Sequence, residues 1–178
     1  MPGSTCAGRT TYQNVGHARR DGFELSGALP FGEAWHAEFA LAWLDARFTD
    51  GFLACASVPC PSPDVSVAAG TRIPGVPRTT AQAAVRWGDP LAGWHARVEG
   101  VFVDAVSASH FDDERAPSHA AFGASVGYGF DAGRVFLAVD NLADRRYAGS
   151  LIVNESNRRY YEAAPGRGVT VGVELRWR

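Results

Sequence analysis

The sequence predicts an all-β chain whose antiparallel strands form part of the wall of a transmembrane β-barrel. Three observations carry that expectation. Apolar residues fall at every second position in seven segments, the connections alternate between tight turns and long loops, and aromatic residues recur eight positions apart on the apolar face.

Composition alone hides this pattern, since 178 residues with 46 % hydrophobic and 20 % charged content are ordinary for one soluble domain. The formal charge is −2, and all 17 basic side chains are Arg, scattered rather than clustered, so no nucleic-acid partner is expected. The longest wholly apolar run, residues 39–44, is far short of the roughly 20 residues that a membrane-spanning helix needs. Met1-Pro2-Gly3-Ser4-Thr5-Cys6 lacks the basic and apolar regions of a secretory signal, so either the chain is cytoplasmic or its N-terminal region lies upstream.

The expected strands cover residues 10–29, 34–48, 78–88, 93–106, 118–130, 133–147 and 161–177. The first ends at the turn Pro30-Phe31-Gly32-Glu33. The second sets Trp35, Ala37, Phe39, Leu41 and Trp43 on one face and His36, Glu38, Ala40 and Ala42 on the other, then opens into a loop over residues 49–77. The third turns through Asp89-Pro90-Leu91-Ala92 into the fourth. There, Trp94, Ala96, Val98, Gly100 and Phe102 oppose His95, Arg97, Glu99 and Val101, ahead of a loop over residues 107–117. In the fifth, Phe122, Ala124, Val126, Tyr128 and Phe130 oppose Ala121, Gly123, Ser125, Gly127 and Gly129. Asp131-Ala132 leads to the sixth, and a loop over residues 148–160 to the seventh, where Val169, Val171, Val173, Leu175 and Trp177 oppose Thr170, Gly172, Glu174 and Arg176.

Short turns at one rim and long loops at the other are the habit of outer-membrane barrels. Eight steps of about 3.3 Å, tilted by roughly 40°, span about 20 Å, close to the band bounded by aromatic girdles. Trp35, Trp43, Trp87, Trp94, Phe102, Phe122, Phe130 and Trp177 are the expected girdle. The competing readings are a passive porin-like barrel fragment and a soluble lipocalin-type barrel whose apolar face is its core.

Several stretches resemble the C-terminal part of a TonB-dependent outer-membrane receptor. They are Tyr12-Gln13-Asn14-Val15-Gly16 with Arg19-Arg20-Asp21-Gly22-Phe23-Glu24-Leu25, then Leu44-Asp45-Ala46-Arg47-Phe48, then the run Gly70-Thr71-Arg72-Ile73-Pro74-Gly75-Val76-Pro77-Arg78. Val139-Asp140-Asn141-Leu142-Ala143-Asp144-Arg145-Arg146-Tyr147 and Arg159-Tyr160-Tyr161-Glu162-Ala163-Ala164-Pro165-Gly166-Arg167 complete the set, in the family's order. Thr170, Gly172, Leu175 and Trp177 also resemble the terminal signal read by barrel-assembly machinery, with Arg178 a departure because the family usually ends on the aromatic.

The resemblance implies a 22-stranded barrel of which these are the C-terminal seven strands, in the outer membrane of a Gram-negative cell. It implies a plug domain upstream, through which the TonB energy-transducing complex acts, and import of a ferric siderophore or another small chelate. An odd strand count points the same way, since it leaves two edges unpaired in hydrocarbon, and seven strands alone are not expected to form a stable pore.

Cys55 and Cys60, spaced C-x4-C between prolines, suggest a loop disulfide in an oxidising compartment, leaving Cys6 over, and no ligand spacing suggests zinc. Ser109-His110-Phe111-Asp112-Asp113-Glu114-Arg115 is a solvated loop or, with His110 and Asp112, a ligand or hard-cation contact. Arg158, Arg159 and Tyr160 in the last loop could meet an anionic metal chelate, the other readings being loop packing and lipopolysaccharide contact. Glu24, His36, Glu38, Gln82, Arg86, His95, Arg97, Glu99, Glu174 and Arg176 on the polar face are expected to pair across strands and to face the plug. No catalytic constellation or cofactor motif stands out, and no enzyme activity is expected.

Overall fold

A computed structural model describes residues 14–55, 60, 62–155 and 159–177. Cys6, Tyr12, Gln13, Arg158 and Arg178 lie outside the described residues. Thirteen strands follow one another: β1 (Ala18–Phe31), β2 (Trp35–Phe48), β3 (Phe52–Ala54), β4 (Val65–Val67), β5 (Thr79–Asp89), β6 (Ala92–Val103), β7 (Val106–Ser107), β8 (Arg115–Ala116), β9 (His119–Phe130), β10 (Gly133–Asp140), β11 (Ala148–Leu151), β12 (Tyr161–Ala163) and β13 (Gly168–Leu175).

Seven of them form one antiparallel sheet in the order β1-β2-β5-β6-β9-β10-β13, a meander with the seven strands expected from the alternation. The other six make three two-stranded hairpins, β3–β4, β7–β8 and β11–β12, inside the three long loops. The turns at the opposite rim are tight because their chemistry is local. Asp89 Oδ1 accepts from the Leu91 N–H at 2.8 Å, Pro90 fixes the bend between them, and Asp131-Ala132 closes directly onto the Phe130↔Gly133 pair.

Register keeps every strand's apolar face on the same side. A single row across the sheet reads Leu29, Ala37, Val85, Val98, Ala124, Val139 and Val169, one residue from each strand. Aromatics bracket that row: Phe31 meets Trp35 at 5.8 Å, Trp35 meets Trp87 at 6.5 Å and Trp94 meets Tyr128 at 5.3 Å toward the turns. Toward the loops Phe23 stacks on Trp43 at 6.0 Å, and the Arg78 guanidinium lies 5.3 Å from the Trp43 ring. Each such cross-strand pair contributes roughly 0.2–1 kcal/mol.

Among the described residues no second layer covers this face. Val98, Trp94 and Val171 are 56 %, 62 % and 76 % exposed, and among the described residues no large side chain is fully buried. Apart from Ala84 in the middle of β5, the buried side chains gather at the loop end, among them Ala46, Phe48, Ala54, Val67, Ser107, Ala108, Ser109, Ala116 and Tyr160. The molecule therefore has a one-layer wall with a small packed cap.

Cross-strand pairing on the polar face is observed where opposite charges meet. Arg97 on β6 reaches Glu38 on β2 at 3.3 Å, past β5, and Arg134 meets Glu174 at 2.8 Å across the β10–β13 pair, whereas Glu99, 3.2 Å from Arg97, lies on the same strand as Arg97. Arg86 departs from the expectation: it stands directly opposite Arg97 and donates to the Gly88 carbonyl at 2.9 Å instead. Phe136 is an aromatic intruder on this face, beneath the Arg134 guanidinium at 5.7 Å.

The sixth and seventh expected segments run too long. β10 stops at Asp140 because Asn141 takes a φ of 48°, its amide donating to the Arg145 and Pro165 carbonyls while its Oδ1 accepts from the Arg145 N–H. The expected strand over residues 161–177 is divided between β12 and β13, since Pro165 has no N–H for a ladder.

Candidate functional site

The cap is built by joining the three hairpins. Residues 70–78 run back along the loop end of β2 through Gly70 N–H to Phe48 O at 2.7 Å, Phe48 N–H to Thr71 O at 2.9 Å and Ile73 N–H to Ala46 O at 3.0 Å. Gly75 N–H then reaches Ser107 O at 2.9 Å, and Asn154 N–H reaches Ala108 O at 2.8 Å. The Tyr161 hydroxyl donates to Glu114 at 3.3 Å, closing the circle between the second and third long loops.

The Cys55–Cys60 disulfide suggested by the spacing is formed and ties the connection of β3–β4. Closing so short a loop stabilises the hairpin by about 2 kcal/mol on chain-entropy grounds. Cys55→Ser should therefore speed protease cleavage within residues 50–69 while leaving the urea midpoint of the seven-stranded sheet unchanged. Equal cleavage of variant and parent would sink the assignment.

Between the first two long loops lies an open cleft of about 380 Å³, lined by Arg47, Arg72, His110 and Asp112 together with Val67 and Phe111. Two of the sequence's candidates, His110 and Asp112, thus share one site. Arg47 Nε donates to Asp45 Oδ2 at 2.8 Å and Arg72 Nη2 to Asp45 Oδ1 at 3.2 Å. Two guanidinium groups share that carboxylate, so the pair keeps one positive charge in excess.

Asp112, at a φ of 55°, accepts from Arg115 Nε at 3.0 Å. Burial works to raise its pKa, but Ser107, Arg115 and Arg72 together outweigh burial and hold it below the ordinary carboxylate value. Burial pushes His110 below the usual histidine value, so the imidazole is neutral at neutral pH. Asp113 is bonded to the Ser109 hydroxyl, and among the described residues no group of three or more His, Cys, Asp and Glu is arranged to hold a metal ion. Asp112 and Asp113 are turned to Arg115 and Ser109. The cleft instead suits an anion, which two guanidinium groups can meet with charge-assisted hydrogen bonds.

Arg47 and Arg72 were not among the sequence's ligand candidates. Both stood in stretches quoted above, but only the fold shows that Asp45 serves them together, through the isolated bridge Arg47↔Arg72. The last loop needs a correction. Tyr160 is 8 % exposed and packs inside the cap, whereas Tyr161 is 40 % exposed and is the phenol presented outward. Arg159 is exposed beside them and does not line the cleft.

Of the expected girdle, Trp35, Trp87, Trp94, Phe102, Phe122 and Trp177 stand exposed on the apolar face, with Trp43 and Phe130 partly covered.

Comparison with known proteins places this geometry. The family model described as TonB dependent receptor-like, beta-barrel matches residues 1–142. A curated relative from Acinetobacter baumannii, named "Probable TonB-dependent siderophore receptor PiuA", is 28 % identical over 171 residues, covering 94 % of this chain and 22 % of the relative. The crystal structure of PiuA from Acinetobacter baumannii superposes with a TM-score of 0.79 at 24 % identity, over 97 % of this chain and 24 % of that one. The ferric yersiniabactin uptake receptor FyuA of Yersinia pestis gives 0.69 at 23 % identity, over 89 % and 23 %. The chain thus spans about a quarter or less of the length of each. With the family model matching most of its residues and the meander matching the solved barrels, the chain belongs to the TonB-dependent receptor β-barrel family.

Proposed function

We propose that the chain forms a seven-strand sector of the wall of an outer-membrane receptor in a Gram-negative cell, which imports a ferric siderophore or a similar small chelate when energised through TonB. The observation that carries this reading is the family match over residues 1–142, and the names of the two relatives support the cargo class. In this reading the apolar face meets lipid and lipopolysaccharide, with the aromatic girdle at its borders. The polar face, with Arg97 between Glu38 and Glu99, meets a plug domain. The loop cap faces outward, and its cleft offers Arg47 and Arg72 to the negative charge of a metal chelate, with His110 and Asp112 shaping the rim. Barrel-assembly machinery would read the strand ending in Trp177. The role is transport and binding, without catalysis.

The test is to delete the coding segment for residues 18–175 from the chromosome and follow uptake of radiolabelled iron under iron limitation. Hydroxamate, catecholate and phenolate siderophores serve as separate probes. Uptake of at least one should fall to the level of a strain lacking TonB, the others remaining at the parental rate. Unchanged uptake of every probe would overturn the proposal for ferric cargo.

A further inference from the structure

His110 sits where the three long loops meet. Its backbone N–H donates to Asn154 Oδ1 at 2.9 Å, which fixes the orientation of the Asn154 amide. The amide nitrogen is then the atom 2.7 Å from His110 Nε2. An amide nitrogen only donates, so Nε2 accepts and the ring proton resides on Nδ1. The same ring lies 5.7 Å from Phe48 and 5.4 Å from Phe52, edge to face with both. One side chain thus touches the end of β2, the first long loop, its own loop and the connection between β11 and β12.

We propose that the His110–Asn154 pair is a latch on the loop cap that acid releases. Protonation places hydrogen on both ring nitrogens, so the 2.7 Å contact becomes two donors face to face, and the connection between β11 and β12 loses the ring's hydrogen bond, one of its side-chain ties to the second loop. The new proton arrives on Nε2, where it faces the donating Asn154 amide, and among the described residues the Nδ1 proton is already buried without a hydrogen-bond partner. On the same loop Asp112 is held by Arg115, Asp113 by Ser109 and Glu114 by Tyr161. From the first long loop and β2 the ring is faced by Phe52 and Phe48, with Arg72 and Arg47 lining the shared cleft and opposing a second positive charge. The last connection contributes the neutral Asn154, flanked by Glu155, with Arg159 further along.

The sign follows from burial. The closed latch takes up a proton less readily than an open one, because burial lowers the His110 pKa from its ordinary 6.5. The closed form is therefore fully favoured above about pH 6.5 and loses stability as pH falls from there through the closed form's lower value. The inference concerns loop order alone and stands whether or not the cargo is a siderophore.

Hydrogen exchange followed by mass spectrometry on the full chain in detergent tests it, with rates corrected for the intrinsic effect of pH. Residues 106–111 and 148–155 should exchange at least about tenfold faster at about pH 4.5 than at about pH 7.5, while β9 stays unchanged. Asn154→Asp supplies an acceptor for the protonated ring and should abolish the difference, keeping both segments protected. His110→Phe keeps the ring contacts and should exchange fast at both pH values. Equal corrected rates at the two pH values in the parent, or an undiminished pH dependence in His110→Phe, would overturn the latch.

Discussion

Val98→Arg is expected to cost the membrane-inserted protein about 2–4 kcal/mol, a loss of roughly thirtyfold to several hundredfold in the inserted fraction. Val98 stands midway between Trp94 and Phe102 on β6, in the row of seven apolar residues that crosses the whole sheet. It is 56 % exposed with no described residue layered above it, so an arginine there has no carboxylate to meet and only hydrocarbon around it in the proposed setting. Gln82→Arg is the matched control. Gln82 lies on the opposite face between Ala40 and Val101, near the Arg97–Glu38–Glu99 cluster, where another guanidinium can be solvated or paired.

The comparison is read as protein recovered in the outer-membrane fraction of a Gram-negative host and as the urea midpoint in detergent. Val98→Arg should fall sharply in both, Gln82→Arg by less than about 1 kcal/mol. Equal behaviour of the two variants would remove the assignment of that face to lipid. A parent protein that is monomeric in buffer without detergent would favour the soluble lipocalin-type barrel instead.

The seven sheet strands were legible because a period of two is the strongest signal a half-covered strand can give, and each ran for eight to fourteen residues. The three hairpins of the cap were not. β3, β4, β7, β8, β11 and β12 are two to four residues long, too short for any alternation to declare itself. Their core is made largely of Ala46, Ala54, Ala108, Ala116, Ser107 and Ser109, residues that no hydrophobic pattern picks out. The same shortness explains the exchange of Tyr160 for Tyr161, because β12 holds only three residues and gives no parity to read. Half of the cleft was legible as His110 and Asp112 in an unusually polar loop. The other half depended on residues 70–78 folding back against β2, so that Asp45, already bonded to Arg47 two positions on, also meets Arg72 across 27 positions of sequence.

Gly133→Ala should detach the last strand. A Cβ at Gly133 would lie 1.9 Å from the Glu174 carbonyl oxygen and 3.0 Å from its carbon, both backbone atoms of β13. No side-chain rotation relieves that contact, so the β10–β13 ladder must part where Gly133 faces Leu175. The neighbouring bond from Arg176 N–H to Ala132 O, 2.8 Å long, goes with it. The expected loss is at least about 3 kcal/mol, combining backbone strain with overpacking against an immovable partner. Gly93→Ala separates this cause from the general effect of replacing a glycine. At Gly93 nothing lies within 4 Å of the added carbon, and the cost is only that of holding alanine at a φ of +73°, about 1–2 kcal/mol. Hydrogen exchange should then rise across residues 168–177 in Gly133→Ala while β1 and β2 remain protected, whereas Gly93→Ala should leave β13 as protected as in the parent. Matching exchange in the two variants would mean that β13 is not held by this pairing, and that Trp177 is not anchored at the border of the apolar face through it.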